Sequence, residues 1–321
     1  MRRFISFLAL LCFFPAALSW GQQAESQQSE KSGLLTPENN IALYEQWSLV
    51  SEQKLGDEEE TLTTPEPETP LERKEFLTRR QKMLLLNAGG MAAVAAYGFA
   101  NWDYGESSFH FENEGWFERD SPHGGADKLG HFWSSYALSH LYSYVYRKWG
   151  YTDSEGNLYG ALSTLALQTF MEVFDGFSPT QGFSYQDMAM NLLGVGVGYL
   201  WGKYPVLAKK IDFRMEYKPE FNSNDFGFAD HYDRQSFLIA LKADGFDFIK
   251  NPYLRYLEFQ VGYYARGYDD YYEGGPDNRQ RTVFVGLGFN VSKLVQKYVN
   301  TRVFDYIQVP YTSVRMPVAS D

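Results

Sequence analysis

The chain is predicted to be an α+β protein, with a four-helix bundle in its N-terminal half and a small antiparallel β-meander of four to five strands after it. Three observations predict this. Between residues 76 and 205 four long segments are apolar and rich in small residues, and Gly or Pro interrupts them. After Pro205 the apolar residues switch to a period of two. The segment before residue 76 is too polar and too rich in Pro and Glu to join a core.

The elements follow in order. Residues 1–19 read as a secretory leader: Arg2 and Arg3 are basic, Ile5 to Ala17 is apolar, and Ala17-Leu18-Ser19 offers a small-x-small cut. The apolar run is short for a membrane anchor, which takes about 20 residues. Cys12 is the only cysteine. It follows Leu10-Leu11 rather than a small residue, so no lipid attachment is expected there. Without Cys12 the mature chain has no disulfide, thiol nucleophile or thiolate metal site. Residues 20–75 form an acidic, flexible segment: Gln22 to Glu75 carries 13 acidic and 4 basic residues, most of the net charge of −11. One apolar island, Ile41 to Val50, reads either as a short docking helix or as chance.

The helical domain is expected over residues 76–205, with helices at about 75–99, 127–149, 158–174 and 185–204. Ser184 is the expected N-cap of the fourth, with Asp187 three residues on, and Pro205 is its stop. The first and fourth segments are apolar over about the 20 residues a bilayer requires. Gly89, Gly90, Ala92, Ala93, Gly194, Gly196 and Gly198 would allow close helix approach. The helices therefore read as membrane-embedded or as a tight soluble bundle, and composition leaves both open.

The β-rich domain is expected over 206–321. Ile211, Phe213, Met215 and Tyr217 alternate with Asp212, Arg214 and Glu216. Phe237, Ile239 and Leu241 share a face. Leu257 to Ala265 and Val283 to Val291 alternate in the same way. Residues 306–316 would add an edge strand, because Pro310 cannot donate to a ladder. Residues 268–277 read as a hairpin loop and 292–300 as a short helix. Such strands resemble outer-membrane strands, but four or five cannot close a barrel, which takes about eight. The sheet is expected to cover itself with the helices or to join another chain, and packing against the helices is favoured.

Aromatic residues make up 17% of the chain, with 24 Tyr and 25 Phe, as suits an interface or a large aromatic core. No basic field exists that would suggest nucleic acid as a partner; membrane lipids or an envelope protein are the expected partners.

The chemistry concentrates between Asp127 and Gly198. Asp127 and His131 lie four apart, on one helical face. Glu172 and Asp175 close the third helix. Asp187, Asn191, Gly194 and Gly198 make one stripe on the fourth. The candidate catalytic residues are Asp127, His131, Glu172 and Asp187. The candidate metal ligands are His131, Asp127, Glu172 and Asp175, since several carboxylates around one imidazole can hold a divalent ion. Lys128, Ser184, Asn191, Gly194 and Gly198 are the expected structural partners of this cluster. No His-Glu-x-x-His spacing and no Gly-x-Ser-x-Gly elbow occurs, so the reading leans away from an enzyme; the cofactor is left open between a divalent metal and none, the latter favoured. His110, His123 and His140 are expected at the surface or an interface, and Trp102 to Phe117 as an interface belt or a lid.

The pieces Asp127-Lys128-x-Gly130-His131-Phe132, Glu172-x-x-Asp175-Gly176-Phe177-Ser178, Gly182-Phe183-Ser184-x-x-Asp187 and Asn191-x-x-Gly194-x-x-x-Gly198 resemble the DUF2279 family of YfiM-like predicted periplasmic lipoproteins. A weaker likeness, through Asp-Lys-x-x-His-Phe and Glu…Asp…Asn-x-x-Gly, is to the VanZ family of small membrane proteins. The first resemblance implies an envelope location and the second membrane-associated helices; neither implies a reaction. Three functions remain in view. The first is an exported, membrane-associated protein of the periplasm or outer membrane of a Gram-negative envelope, its polar cluster structural or binding. The second is a metal-dependent or His-based hydrolase of envelope lipid or cell-wall material. The third is a ligand-binding or transport accessory.

Overall fold

A computed structural model of the chain describes residues 76–218 and 231–321. The expected leader, the acidic segment and its apolar island lie outside the described residues. Residues 79–321 fall in one compact unit, which contains seven helices and a mixed six-stranded sheet among the described residues.

Helix α1 (Arg79–Asn101) buries Gly98 alone; one side of it is half-buried, where Met83, Leu86, Met91 and Val94 pack on the cluster of Tyr142, Tyr146 and Leu167, and the other side is exposed. It runs along the third helix. Among the described residues it is the one helix long and apolar enough to cross a membrane, and almost none of that stretch is buried in the protein.

Helices α2 (Ala126–Lys148), α3 (Asp153–Asp175) and α4 (Tyr185–Lys203) pack on one another. Many of the residues they bury are small or polar: Ser135, Ser139 and Ser143 on α2, Asn157, Thr164 and Gln168 on α3, Asn191, Gly194 and Gly198 on α4. Leu158, Leu162, Leu192, Leu193 and Leu200 face outward and are exposed. This reverses the usual amphipathic helix, whose apolar stripe faces inward. Glycine allows the close approach: a Cβ on Gly194 would overlap the Phe132 carbonyl oxygen.

Two boundaries depart from expectation. Helix α3 starts five residues before Leu158, because Thr152 and Glu155 form a reciprocal capping box. Pro205 ends α4 and also opens a further helix, α5 (Pro205–Lys210), where a missing N–H costs nothing.

Strands β1 (Phe111–Glu112) and β2 (Phe183–Ser184) form a small parallel pair that ties the loop before α2 to the start of α4. The main sheet has β3 (Ile211–Tyr217), β4 (Gln235–Lys242), β5 (Leu257–Arg266), β6 (Gln280–Phe289), β7 (Ile307–Gln308) and β8 (Ser313–Ser320), in the order β7-β3-β4-β5-β6-β8. Short helices α6 (Tyr268–Tyr272) and α7 (Val291–Val295) sit in its connections. The expected all-antiparallel meander of four to five strands is thus corrected to a mixed sheet of six. Pro310 splits the expected last strand in two, and β7 crosses to the far edge, where it runs parallel to β3.

The sheet is inverted. Asp212, Arg214, Glu216, Lys242, Glu258 and Gln260 are buried, while Ile239, Leu241, Leu257, Phe259, Val261 and Leu287 on the other face are exposed. Arg214 is fully buried and donates to Asp212 (2.7 Å), Glu258 (2.8 Å) and Gln308 (3.0 Å). Lys242 reaches Asp212 at 2.6 Å, and Arg315 binds both oxygens of Glu216. Glu216 and Arg315 lie on β3 and β8, with three strands between them. In a flat sheet strands so placed are about 19 Å apart at the usual interstrand spacing, so the sheet curls tightly around its charges. Helix α2 covers only part of the apolar face, where Leu129 and Trp133 pack on the cluster of Met215 and Phe237, and Phe132 meets Phe213. The expectation that helices cover the sheet holds for that part alone.

Candidate functional site

The polar centre lies where the N-terminal turns of α2 and α4 meet the C-terminal turn of α3. Gly124 and Gly125, with φ of +58° and +83°, make the turn that starts α2 without a side-chain cap. Ser184 caps α4 by accepting from the Asp187 backbone N–H at 3.2 Å, as its position predicts. The Asp187 side chain does not complete a capping box. It turns inward, where the positive ends of two helix dipoles favour a carboxylate.

Lys128 is wholly buried and is the cation of the first half of the centre. Its Nζ donates to Asp127 Oδ2 at 2.7 Å and to Glu114, and lies 2.9 Å from Asp187 Oδ1. Burial opposes its charge, yet Asp127, Asp187 and Glu114 outweigh that and hold the ammonium above its ordinary pKa. Burial, helped by the neighbouring Asp187 carboxylate, pushes Glu114 up to about 7.

His131 forms the second half. Its Nδ1 is 3.3 Å from Glu172 Oε1 and its Nε2 is 3.8 Å from Asp187 Oδ1. Burial lowers the His131 pKa and so favours the neutral ring. Burial raises Glu172 well above the carboxylate range, with the Asp187 and Asp175 charges adding to it. Asp175, also raised by burial, to about 6, accepts from Tyr104 Oη at 2.6 Å. The ligand atoms of His131, Glu172 and Asp187 lie within 4.8 Å of one another, as do those of Glu114, Asp127 and Asp187.

Behind this centre runs a hydrogen-bonded lock. Asn191 donates to Glu172 Oε1 at 3.1 Å and accepts from Ser135 (2.8 Å) and Gln168 (3.1 Å). It joins all three helices.

The structure therefore brings Asp127, Lys128, His131, Glu172, Asp175, Asp187 and Asn191 together. Asp127, expected beside His131, is turned instead to Lys128. Asp175, expected among the metal ligands, is turned to Tyr104, and Asp187 stands with His131 and Glu172. Gly194 and Gly198 lie further along α4 and act by closeness alone. Sequence reasoning missed Glu114 and Gln186. The segment from Tyr104 to Glu114 closes over the centre: Tyr104 reaches Asp175, Asn113 reaches Gln186, and Glu114 reaches Lys128. The run of acids beside aromatic residues was its only signal. His140 is interfacial, between Gly198 O (2.8 Å) and Tyr306 Oη (2.9 Å).

These features define an α+β chain with a carboxylate-rich centre at a three-helix junction. Residues 113–203 match the model of the DUF2279 family, described as predicted periplasmic lipoproteins. The match spans Glu114 and α2 to α4, so the motif resemblance holds over the whole centre except Tyr104. The family's description agrees with an exported, envelope location. No curated protein and no solved structure matches the chain.

Proposed function

We propose that this is a membrane-associated protein of the cell envelope, with α1 inserted in the bilayer and the bare apolar face of the main sheet turned to lipid. The observation that carries the reading is the inverted sheet. A polar, ion-paired interior with an apolar exterior is the pattern of a sheet whose outer solvent is hydrocarbon. In water the exposed face is unfavourable. Leu257, Phe259, Val261, Leu287, Val314 and Met316 are each 38–79% exposed. At about 1.5–3 kcal/mol for full burial of such a side chain, each forgoes on the order of 1 kcal/mol. Contact with acyl chains recovers it. The outward leucines of α3 and α4 support the same reading, and the Asn191 lock keeps the helices in register where lipid supplies no hydrophobic drive between them.

Fractionation of cells tests this. The protein is expected in the membrane fraction after an alkaline carbonate wash, and in solution after detergent. Release by carbonate alone would overturn the reading.

A further inference from the structure

The two halves of the molecule treat buried charge differently. In the sheet, Asp212, Glu216 and Glu258 are matched by Arg214, Lys242 and Arg315. In the helical centre five carboxylates, Glu114, Asp127, Glu172, Asp175 and Asp187, face Lys128 and the ring of His131. Lys128 sits among Glu114, Asp127 and Asp187 and is the one cation of that half. The other half, His131 and Glu172, shares with that ammonium only the Asp187 carboxylate and has no cation of its own among the described residues. Its polar atoms are also left over. Asp187 is 4% exposed; its Oδ2 accepts from Lys128 at 3.1 Å, while its Oδ1, 2.9 Å from Lys128 Nζ and 3.8 Å from His131 Nε2, accepts no hydrogen bond. His131 Nδ1 is buried and makes no hydrogen bond either. Buried carboxylates and imidazoles in this state are costly unless they are paired or bind a metal.

We propose that His131, Glu172 and Asp187 bind one divalent transition-metal ion. One imidazole nitrogen and two carboxylate oxygens suit Mn²⁺ or Zn²⁺. Ligand bonds of about 2.0–2.2 Å place ligand atoms roughly 3.4 Å apart around a tetrahedral ion. The three groups, all within 4.8 Å of one another, need to close in by about an ångström. Asn191, which donates to Glu172 Oε1, is the positioning residue that aims this carboxylate. The His131 side chain is 14% exposed and marks the side from which the ion enters.

The test uses the full chain, purified in detergent, stripped with a chelator and titrated with Mn²⁺ and Zn²⁺ near neutral pH. Calorimetry is expected to show saturable binding of one ion per chain, with a rise in melting temperature. Pulsed electron paramagnetic resonance of bound Mn²⁺ is expected to show nitrogen coupling from a single imidazole. Asp187→Asn is expected to weaken binding by at least the roughly ten- to hundredfold that losing an outer partner costs. No saturable binding, bound Mn²⁺ without nitrogen coupling, or unchanged affinity in folded Asp187→Asn would each overturn the proposal. The nitrogen signal is read on the unmodified chain, so it decides the matter even where the variant fails to fold. Membrane association is scored separately by fractionation, so either claim can fail alone.

Discussion

Replacing Lys128 with Met removes the one buried ammonium of the helical centre and keeps most of its volume. Lys128 is wholly buried, with Asp127 Oδ2 at 2.7 Å and Asp187 Oδ1 at 2.9 Å, and Glu114 also bound. Its loss leaves three carboxylates facing one another without compensation. Removing one partner of a buried pair costs about 3–5 kcal/mol. In a folded region of this size 1 kcal/mol moves the melting temperature by roughly 2–4 °C, so a fall of about 10 °C is expected. Thermal unfolding in detergent, followed by circular dichroism, measures it. Asp187→Asn in the same chain should recover part of the loss, because it removes one of the stranded charges. Lys209→Met is the control: its pair with Asp247 lies at 3.5 Å between largely exposed side chains and is worth about 0–1 kcal/mol. The reasoning is refuted if Lys128→Met costs no more than Lys209→Met, or if the losses from Lys128→Met and Asp187→Asn simply add.

Further outcomes are expected from other parts of the structure. Asn191→Leu takes the donor from Glu172 and the acceptor from Ser135, while Gln168 keeps Ser134 and Ser135, and should cost roughly 2–6 kcal/mol by denaturant unfolding, at about 1–3 kcal/mol for each of the two unsatisfied buried groups. Gly194→Ala should destabilise through backbone overlap at Phe132, whereas Gly196→Ala, with open space around it, should be near neutral in the same assay. His140 carries a pH dependence. Burial lowers its pKa from 6.5 to about 4, against the pull of the Gly198 carbonyl. The folded state thus prefers the neutral ring, so this stabilisation is complete above the unfolded value near 6.5 and is lost as pH falls toward 4. The loss is on the order of 3 kcal/mol, and unfolding curves of the unmodified chain minus those of His140→Gln should show it in that window.

Much of the fold is legible in the sequence. The period of two after Pro205 locates β3 to β6 within a few residues, because alternation needs only one chemically distinct face. It does not say which face is inside. Asp212, Arg214 and Glu216 read as an outer face by the ordinary rule, and the tight curl of the sheet puts them within. That curl depends on Arg315 finding Glu216 across the sheet, which no local pattern encodes. The start of α3 was legible in Thr152 and Glu155 but is masked by the glycines at 156 and 160. In the centre, helical spacing places Asp127 and His131 on one face of α2. Spacing within a helix cannot say that His131 meets Glu172 of α3 and Asp187 of α4, nor that a loop residue, Glu114, completes the shell around Lys128.

Lipid contact at the sheet can be measured directly. Single cysteines at Val261 and Leu287, in a Cys12→Ser chain, would carry a fluorescent label in vesicles containing brominated lipids, with Lys209, on exposed α5, as the reference position. The account predicts strong quenching at Val261 and Leu287 and little at Lys209. Equal, weak quenching at all three would contradict it, and the inverted sheet would then face water.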